Sequence, residues 1–452
     1  MKLSVRFLTS SLSVLALTMA GVAQTNDREA AAALASGTAG YADVNPIDVS
    51  QAQVTIGSDT LFDATTGLVK NNIAGGQGPA LSSSARAVRT NTSTIDGMDG
   101  VVTFNGAFIT QAGPSLGQSF RFTMMGNHPL VGGTTNIPAP IVTVDLNLLN
   151  ADGSLLATVP FAPFESLTLQ SPNFNFINYR SGNQIQYADA IHRAQFSNRM
   201  APNWHTTLVP NVVDRVTFTI PRFVNLDLGQ GNIIQARAYF TGTAPDGSRF
   251  VLMLRPLFNA LFSNAVIDQI VNKGTFTTDA LSTLMLPNTF LFDLNVNNPN
   301  TPGSCCVLGF HTFFRDRTAV PQPRFVAEYA SWISPGLLGG GFQDVTALSH
   351  EVSEAFANPF LDNSTASWQF AGVPPTSKMC QANLEEGDPI ETLPVVSIPI
   401  TIKEKGQNFI YHPQVIPLLQ WFEMGQTSNA IDGAFSFPDE TTLPHSAIPC
   451  PQ

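Results

Sequence analysis

The chain has 452 residues, which is enough for two or three ordinary domains or for one large one. Only 12% of the residues are charged, which favours an exported protein rich in strands and loops over a cytosolic helical one. The formal net charge of −11 argues against nucleic acid as a partner, because no basic patch is available to neutralise phosphates. It gives no support for binding to an anionic membrane surface either.

The first 23 residues have the pattern of a secretory signal peptide. Lys2 and Arg6 give a positive start, an apolar run extends from Leu8 to Ala20, and residues 21–23 are small. A membrane anchor is the competing interpretation, but the run is short and is interrupted by threonine and serine. We therefore expect residues 1–23 to be cleaved, leaving a secreted or periplasmic chain without a membrane span.

Three regions follow. Residues 24–98 are rich in Ala, Gly, Ser, Thr and Asn, which predicts a low-complexity N-terminal arm with a few strands. Residues 99–255 show strand-like alternation, Asp-Gly turn signals at Asp152 and Asp246, and one helical stretch at 187–196. Residues 256–452 mix both periodicities. The sequence predicts an α+β fold with a β-rich N-terminal half and an α+β C-terminal half.

The elements of the C-terminal region are predicted from apolar spacing and from turn residues. Helices are expected at 257–272, 279–285, 344–358 and 415–424. Strands are expected at 289–296, 306–314, 324–333, 399–403 and 408–411.

The helix predicted at 344–358 carries the clearest chemical signal in the chain. His350 and Glu354 are four residues apart, so their side chains project side by side, with Glu351 on the same face. This His-Glu-x-x-Glu pattern is a variant of the zincin helix, in which two ligands one turn apart bind zinc and the intervening glutamate is the general base. A polar face that simply meets water is the alternative explanation.

A catalytic zinc ion normally takes three protein ligands, so one more is needed. Glu385 is the first choice because it begins the acidic segment Glu385-Glu-Gly-Asp388, which follows at loop distance. Asp388 could instead orient His350. His311 and His412 are the rival third ligands, and for each the alternative is an ordinary hydrogen-bonded histidine.

The segment Ser349-His-Glu-Val-Ser-Glu-Ala-Phe-Ala-Asn-Pro359, with Glu385-Glu-Gly-Asp388 downstream, resembles a group of uncharacterised secreted bacterial proteins with an HExxE motif. The segments Cys305-Cys-Val-Leu-Gly-Phe-His311 and Tyr411-His-Pro-Gln414 fit the same pattern. A weaker local resemblance extends to the plant phosphate-induced, EXORDIUM-like proteins. The resemblance covers roughly residues 290–425 and implies a zincin-like metal site at His350, Glu351, Glu354 and Glu385.

Four cysteines in an exported chain suggest two disulfides, with three possible connectivities among Cys305, Cys306, Cys380 and Cys450. A bond between the adjacent Cys305 and Cys306 is the least favoured pairing. A Cys₄ metal site is not favoured, because paired Cys-x-x-Cys spacing is missing.

We expect a secreted zinc-dependent hydrolase, specifically a peptidase acting on a peptide or protein substrate, in which Glu351 activates a metal-bound water. Two carboxylate ligands would make the metal a weaker Lewis acid, which favours slow catalysis or a structural metal. The alternative is a non-catalytic exported binding, cell-surface or matrix protein with a structural metal or none. The sequence does not fix the oligomeric state.

Overall fold

The computed structural model describes most of the chain from Gly100 to Phe422 and shorter segments beyond. The described residues are 53–56, 59–60, 100–179, 184–197, 199–227, 233–262, 270–271, 273–315, 323–338, 341–370, 381–391, 393, 395–404, 406–424, 436–439, 441 and 443. The predicted signal peptide, Cys380 and Cys450 lie outside the described residues, as does most of the predicted arm.

Strands dominate the described part of the chain. In chain order they are β1 (Gln53–Ile56), β2 (Asp59–Thr60), β3 (Thr103–Ile109), β4 (Ser119–Met125), β5 (Thr134–Leu149), β6 (Leu155–Val159), β7 (Ile177–Asn178), β8 (Gln184–Ile185), β9 (His205–Ile220), β10 (Phe223–Asp227), β11 (Ile233–Arg237), β12 (Tyr239–Thr243), β13 (Arg249–Leu254), β14 (Leu281–Pro287), β15 (Thr289–Leu294), β16 (Pro302–Val307), β17 (Gly309–Arg315), β18 (Arg324–Trp332), β19 (Ser364–Trp368), β20 (Gln381–Asn383), β21 (Ile400–Glu404), β22 (Gln407–Tyr411), β23 (Ile416–Pro417) and β24 (Ser436–Phe437).

Helices are fewer and short. They are α1 (Ala162–Leu169), α2 (Tyr187–Gln195), α3 (Arg255–Ala260), α4 (Thr346–Ala357), α5 (Leu419–Phe422) and one 3₁₀ turn (Asp388–Ile390). This composition confirms the predicted mixture of helix and strand, with strand predominant. None of the described helices has the length and apolar character needed to cross a membrane.

The largest sheet contains strands from both halves of the sequence. Its order is β17-β18-β14-β5-β9-β1-β2, with β6 also paired to β5. The pairs β18–β14, β14–β5 and β5–β9 are parallel, while β17 runs antiparallel to β18. Every residue of β14 and β18 is buried, as expected for parallel strands covered on both faces. A second sheet has the order β12-β13-β15-β16.

Several sequence predictions are confirmed by these elements. The turns at Asp152 and Asp246 join the antiparallel pairs β5–β6 and β12–β13. The helix predicted at 187–196 is α2, and the helix predicted at 344–358 is α4.

Other predictions are wrong. Residues 281–287 form β14 instead of a helix, because β5 and β18 provide backbone partners on both of its edges. The helix predicted at 257–272, by contrast, is confirmed at both of its ends: residues 257–262 and 270–271 are helical, and residues 263–269 and 272 lie outside the described part. The helix predicted at 415–424 is divided into β23 and the four-residue α5.

The least favoured cysteine pairing is the one that the structure shows. The sulfur atoms of Cys305 and Cys306 are in bonding contact. The peptide bond between these two residues is cis, which nothing in the local sequence indicates.

Helix α4 carries His350, Glu351 and Glu354. It packs on β17 and β18 of the main sheet, while α2 and β4 contact its other sides. All twelve of its residues are buried. The apolar residues Val345, Leu348, Val352 and Phe356 belong to the main hydrophobic core, so this core holds the helix in place.

Candidate metal centre

Helix α4 places three ionisable side chains inside the protein. His350 is 5% exposed, and Glu351 and Glu354 are each 4% exposed. The alternative in which the polar face of this helix simply meets water is therefore excluded. Buried ionisable groups destabilise the folded protein unless they are paired or bind a cation. We therefore expect each of these three side chains to have a charged or hydrogen-bonding neighbour.

The start of the helix is held by contacts with neighbouring segments and not by a side-chain cap. Val345 is the N-cap residue, and no side chain caps the helix there. The Asp344 carboxylate instead accepts hydrogen bonds from the backbone N–H groups of Val345 (2.6 Å) and His412 (2.8 Å). The Gln414 N–H donates to the Ser349 hydroxyl at 2.8 Å. These contacts fasten residues 412–414 to the first turns of α4.

Gln414 orients the imidazole of His350. The side-chain amide of Gln414 donates to the Gly387 carbonyl at 2.6 Å, so its oxygen Oε1 faces His350 Nδ1 at 3.0 Å. Nδ1–H of His350 therefore donates to Gln414, and Nε2 is left to face the carboxylates. The ring also packs flat against Gly387, where any Cβ would collide with it.

Glu354 lies between two imidazoles. Its Oε1 is 3.1 Å from His350 Nε2, and its Oε2 is 3.3 Å from His311 Nδ1. The Gly387 N–H also donates to Oε1 at 3.0 Å. One carboxylate therefore joins the helix, strand β17 and the loop at 384–391.

His311 is brought to the cluster by β17. Its Nε2 lies 3.2 Å from the Asn358 carbonyl oxygen and 3.8 Å from Glu385 Oε2. Asn358 Nδ2 donates to the other oxygen of Glu385 at 3.0 Å. Glu385, the predicted third ligand, therefore lies beside His311 and approaches His350 only through Glu354.

The loop that follows supplies two more carboxylates close to His350. Asp388 Oδ1 is 3.5 Å from His350 Nε2, and Glu391 Oε1 is 3.7 Å from His350 Nδ1. Gln381 Nε2 donates to Asp388 Oδ2 at 2.7 Å and holds this side chain. The side chains of Asp388 and Glu391 are 22% and 39% exposed, so the cluster reaches solvent on this side.

Glu351, the predicted general base, is the least satisfied member of the cluster. Its Oε1 is 4.0 Å from His350 Nε2, and its Oε2 is 3.7 Å from His311 Nδ1. Oε2 is buried and makes no hydrogen bond. Gly309 packs against this carboxylate, leaving no room for a larger residue.

The electrostatics of the cluster are dominated by burial and by excess negative charge. Burial lowers the pKa of His350, but the charges of Glu354 and Glu351 outweigh it and raise the pKa well above its ordinary value. Burial and the nearby Glu354 hold the pKa of Glu385 well above its usual range. Burial also raises the pKa of Glu351, against the opposing effect of His350.

The pKa of Glu354 shifts in the opposite direction. Burial acts to raise its pKa, but the flanking His350 and His311 outweigh this effect and lower the pKa below its ordinary value. Glu354 is therefore the carboxylate that stays ionised most easily.

The donors fit a divalent cation. Five carboxylates (Glu351, Glu354, Glu385, Asp388 and Glu391) surround two imidazoles. No lysine or arginine among the described side chains forms an ion pair with them. A divalent ion would balance the ionised carboxylates and accept neutral imidazole nitrogens, as zinc, manganese and related ions do.

Sequence reasoning placed some of these residues and missed others. The rival ligand His311 joins the cluster, whereas His412 pairs through Nδ1 with Asp344 at 2.6 Å. Glu391 and the orienting role of Gln414 were missed. Gln414 lies in one of the segments that carry the resemblance, but nothing in its local pattern points to His350.

Comparison with known proteins finds no relative: no family model, no curated protein and no solved structure matches the chain. Function is therefore inferred from the site alone.

Proposed function

We propose that this chain is a secreted metal-dependent hydrolase, and that its substrate is a peptide or protein. The observation that carries the proposal is the buried Glu354 carboxylate with an imidazole on each of its oxygens, next to a carboxylate oxygen of Glu351 that is buried without a hydrogen bond. The helix that presents them is the zincin-like element of the proposal.

The metal ligands in this proposal come from His350, Glu354 and their neighbours. Zinc accepts imidazole nitrogen and carboxylate oxygen, so it is our first choice, although a carboxylate-rich set also suits harder ions such as manganese. When bound, such an ion polarises a substrate carbonyl and makes nearby water more acidic. Gln414 fixes the tautomer of His350 that keeps Nε2 available as a donor.

Glu351 is the proposed general base. Its Oε2 is buried without a hydrogen-bond donor, and its pKa is raised by burial. A carboxylate whose pKa is raised is a stronger base, so it can take a proton from an attacking water molecule and pass it to the leaving amine. The partly exposed Asp388 and Glu391 mark the side from which substrate would approach.

The second candidate is a non-catalytic exported protein with a structural metal, whose β-rich part engages glycans or a cell surface. The nearly complete burial of His311, Glu351 and Glu354 favours it, because a catalytic metal must keep one position open to substrate.

The experiment that separates the two candidates replaces the proposed base. We expect Glu351→Gln to lower hydrolysis of an unstructured protein substrate by at least about 100-fold, since general-base catalysis contributes that much, while metal content stays the same. Glu423→Gln is the matched control, because Glu423 is also buried but hydrogen-bonds Gln111 away from the cluster. Full hydrolysis by the Glu351→Gln protein would show that the assigned role is wrong.

A further inference from the structure

Two sets of potential ligands, with no residue in common, meet at this cluster. One set is His311, Glu354 and Glu385, and the other is His350, Asp388 and Glu391. Within each set, one donor atom from each residue lies within 4.8 Å of the donor atoms of the other two. Each set therefore has one imidazole and two carboxylates, which is a common composition for a divalent metal site.

Glu354 joins the two sets. Its Oε2 faces His311 at 3.3 Å, whereas its Oε1 faces His350 at 3.1 Å. The two oxygens of a carboxylate can bind two different ions, and metal pairs in hydrolytic sites lie about 3.5–4 Å apart. The position of Glu354 between two imidazoles is what such a bridge requires.

The two sets differ in their access to solvent. All three residues of the His311 set are buried, whereas Asp388 and Glu391 of the His350 set are partly exposed. An ion in the first set would be enclosed by protein. An ion in the second set would be reachable by water and substrate.

Charge supports two ions over one. When all five carboxylates are ionised, a single divalent ion balances the charge of two of them, whereas two ions balance the charge of four in this largely buried cluster. The Glu351 Oε2 atom is a further sign of unbalanced negative charge beside the His311 set, because it is buried without a hydrogen bond and lies 3.7 Å from His311 Nδ1.

We propose that the cluster binds two divalent cations bridged by the carboxylate of Glu354. The inner cation is held by His311, Glu354 and Glu385. The outer cation is held by His350, Asp388 and Glu391, together with the second oxygen of Glu354. This inference deepens the proposed function and rests on the same metal site.

Metal stoichiometry tests the proposal. The purified protein is stripped with a chelator, loaded with excess Zn²⁺, freed of unbound metal and subjected to elemental analysis. We expect two zinc ions per chain in the wild type. We expect one ion in Asp388→Asn/Glu391→Gln and one in Glu385→Gln, while Glu423→Gln keeps both. One ion or none in the wild type, or two ions in both cluster variants, would overturn the proposal.

Electron paramagnetic resonance of the wild type tests the same proposal without any substitution, so it does not depend on whether the variants fold. Loading the wild type with two equivalents of Mn²⁺ should give an exchange-coupled electron paramagnetic resonance spectrum, because the two ions share one carboxylate. Spectra of isolated Mn²⁺ alone would contradict the bridge.

The outcomes also separate this inference from the proposed function. Two bridged ions without measurable hydrolysis would support the metal pair and contradict the hydrolase. One ion with hydrolysis that depends on Glu351 would support the hydrolase and contradict the pair.

Discussion

Glu354 shows how one residue can organise a site through both of its oxygens. Its position four residues after His350 is local and can be read from the sequence. Its contact with His311 depends on strand β17, which lies next to α4 only in the folded chain. The sequence therefore predicts His350 as a neighbour of this carboxylate, but it gives His311 only as one of several possible ligands.

Gln414 provides a prediction at the residue scale. Gln414→Met keeps the volume but removes the acceptor for His350 Nδ1–H, so the imidazole loses its fixed orientation. We expect metal affinity to fall by about 10–100-fold, as for other partners that orient a ligand. Competition with a fluorescent chelator measures this change.

Gln420→Met is the control for this prediction. Gln420 is also buried, but its amide donates to the Gln195 carbonyl oxygen outside the cluster. Equal metal affinity in the wild type and in Gln414→Met would show that Gln414 does not orient a ligand.

At the scale of elements, α2 packs against α4, the helix that carries His350, Glu351 and Glu354. His192 of α2 stacks on Phe356 of α4, with ring centroids 5.2 Å apart, and also contacts Trp204. Burial lowers the pKa of His192 to about 3, against a smaller opposing effect of the Phe356 backbone. The helix pair therefore contains a histidine that must stay neutral.

This burial predicts how stability depends on pH. In the unfolded chain His192 takes up a proton near the ordinary histidine pKa of 6.5, whereas in the folded chain its pKa is about 3. The unfolded state thus binds more protons between these values, and the free energy of unfolding falls as the pH falls. We expect the protonation of His192 in the unfolded chain to lower the free energy of unfolding by about 2 kcal/mol as the pH falls from about 7.5 to about 5.

Urea unfolding of the wild type and of His192→Phe over this pH range measures the effect. The variant should lose this part of the pH dependence while other groups contribute equally to both proteins. Parallel pH profiles for the two proteins would refute the prediction.

At the scale of the whole molecule, the main sheet joins the two halves of the sequence. Strands β5 and β9 come from before residue 255, and β14, β17 and β18 come from after it. Parallel pairing between β5 and β14 links them directly. The cluster on α4 therefore rests on a sheet that only the folding of both halves completes.

Metal removal should lower the stability of the whole protein. A ligand that binds only the folded state stabilises it by about 2.7 kcal/mol when its concentration is about 100 times Kd. We expect a chelator to lower the melting temperature, because bound metal then no longer balances the buried carboxylates. Calorimetry with and without chelator measures the shift, which should vanish in Glu354→Gln. An unchanged melting temperature in the wild type would argue against a bound metal.

The sequence by itself determined what depends on local spacing. It predicted the helix that carries His350, Glu351 and Glu354, and the side-by-side placement of His350 and Glu354, because helical periodicity fixes which residues share a face. It also predicted the two Asp-Gly hairpins and the predominance of strands, because turn residues and alternation act over a few positions.

Only the tertiary structure decided which distant residues meet at that helix. It placed Glu385 beside His311, Asp388 and Glu391 beside His350, and it paired His412 with Asp344. It also made a strand of residues 281–287, since backbone partners on both edges outweigh local preference. Strand order and loop packing depend on the burial of the whole core, and local patterns do not encode that choice.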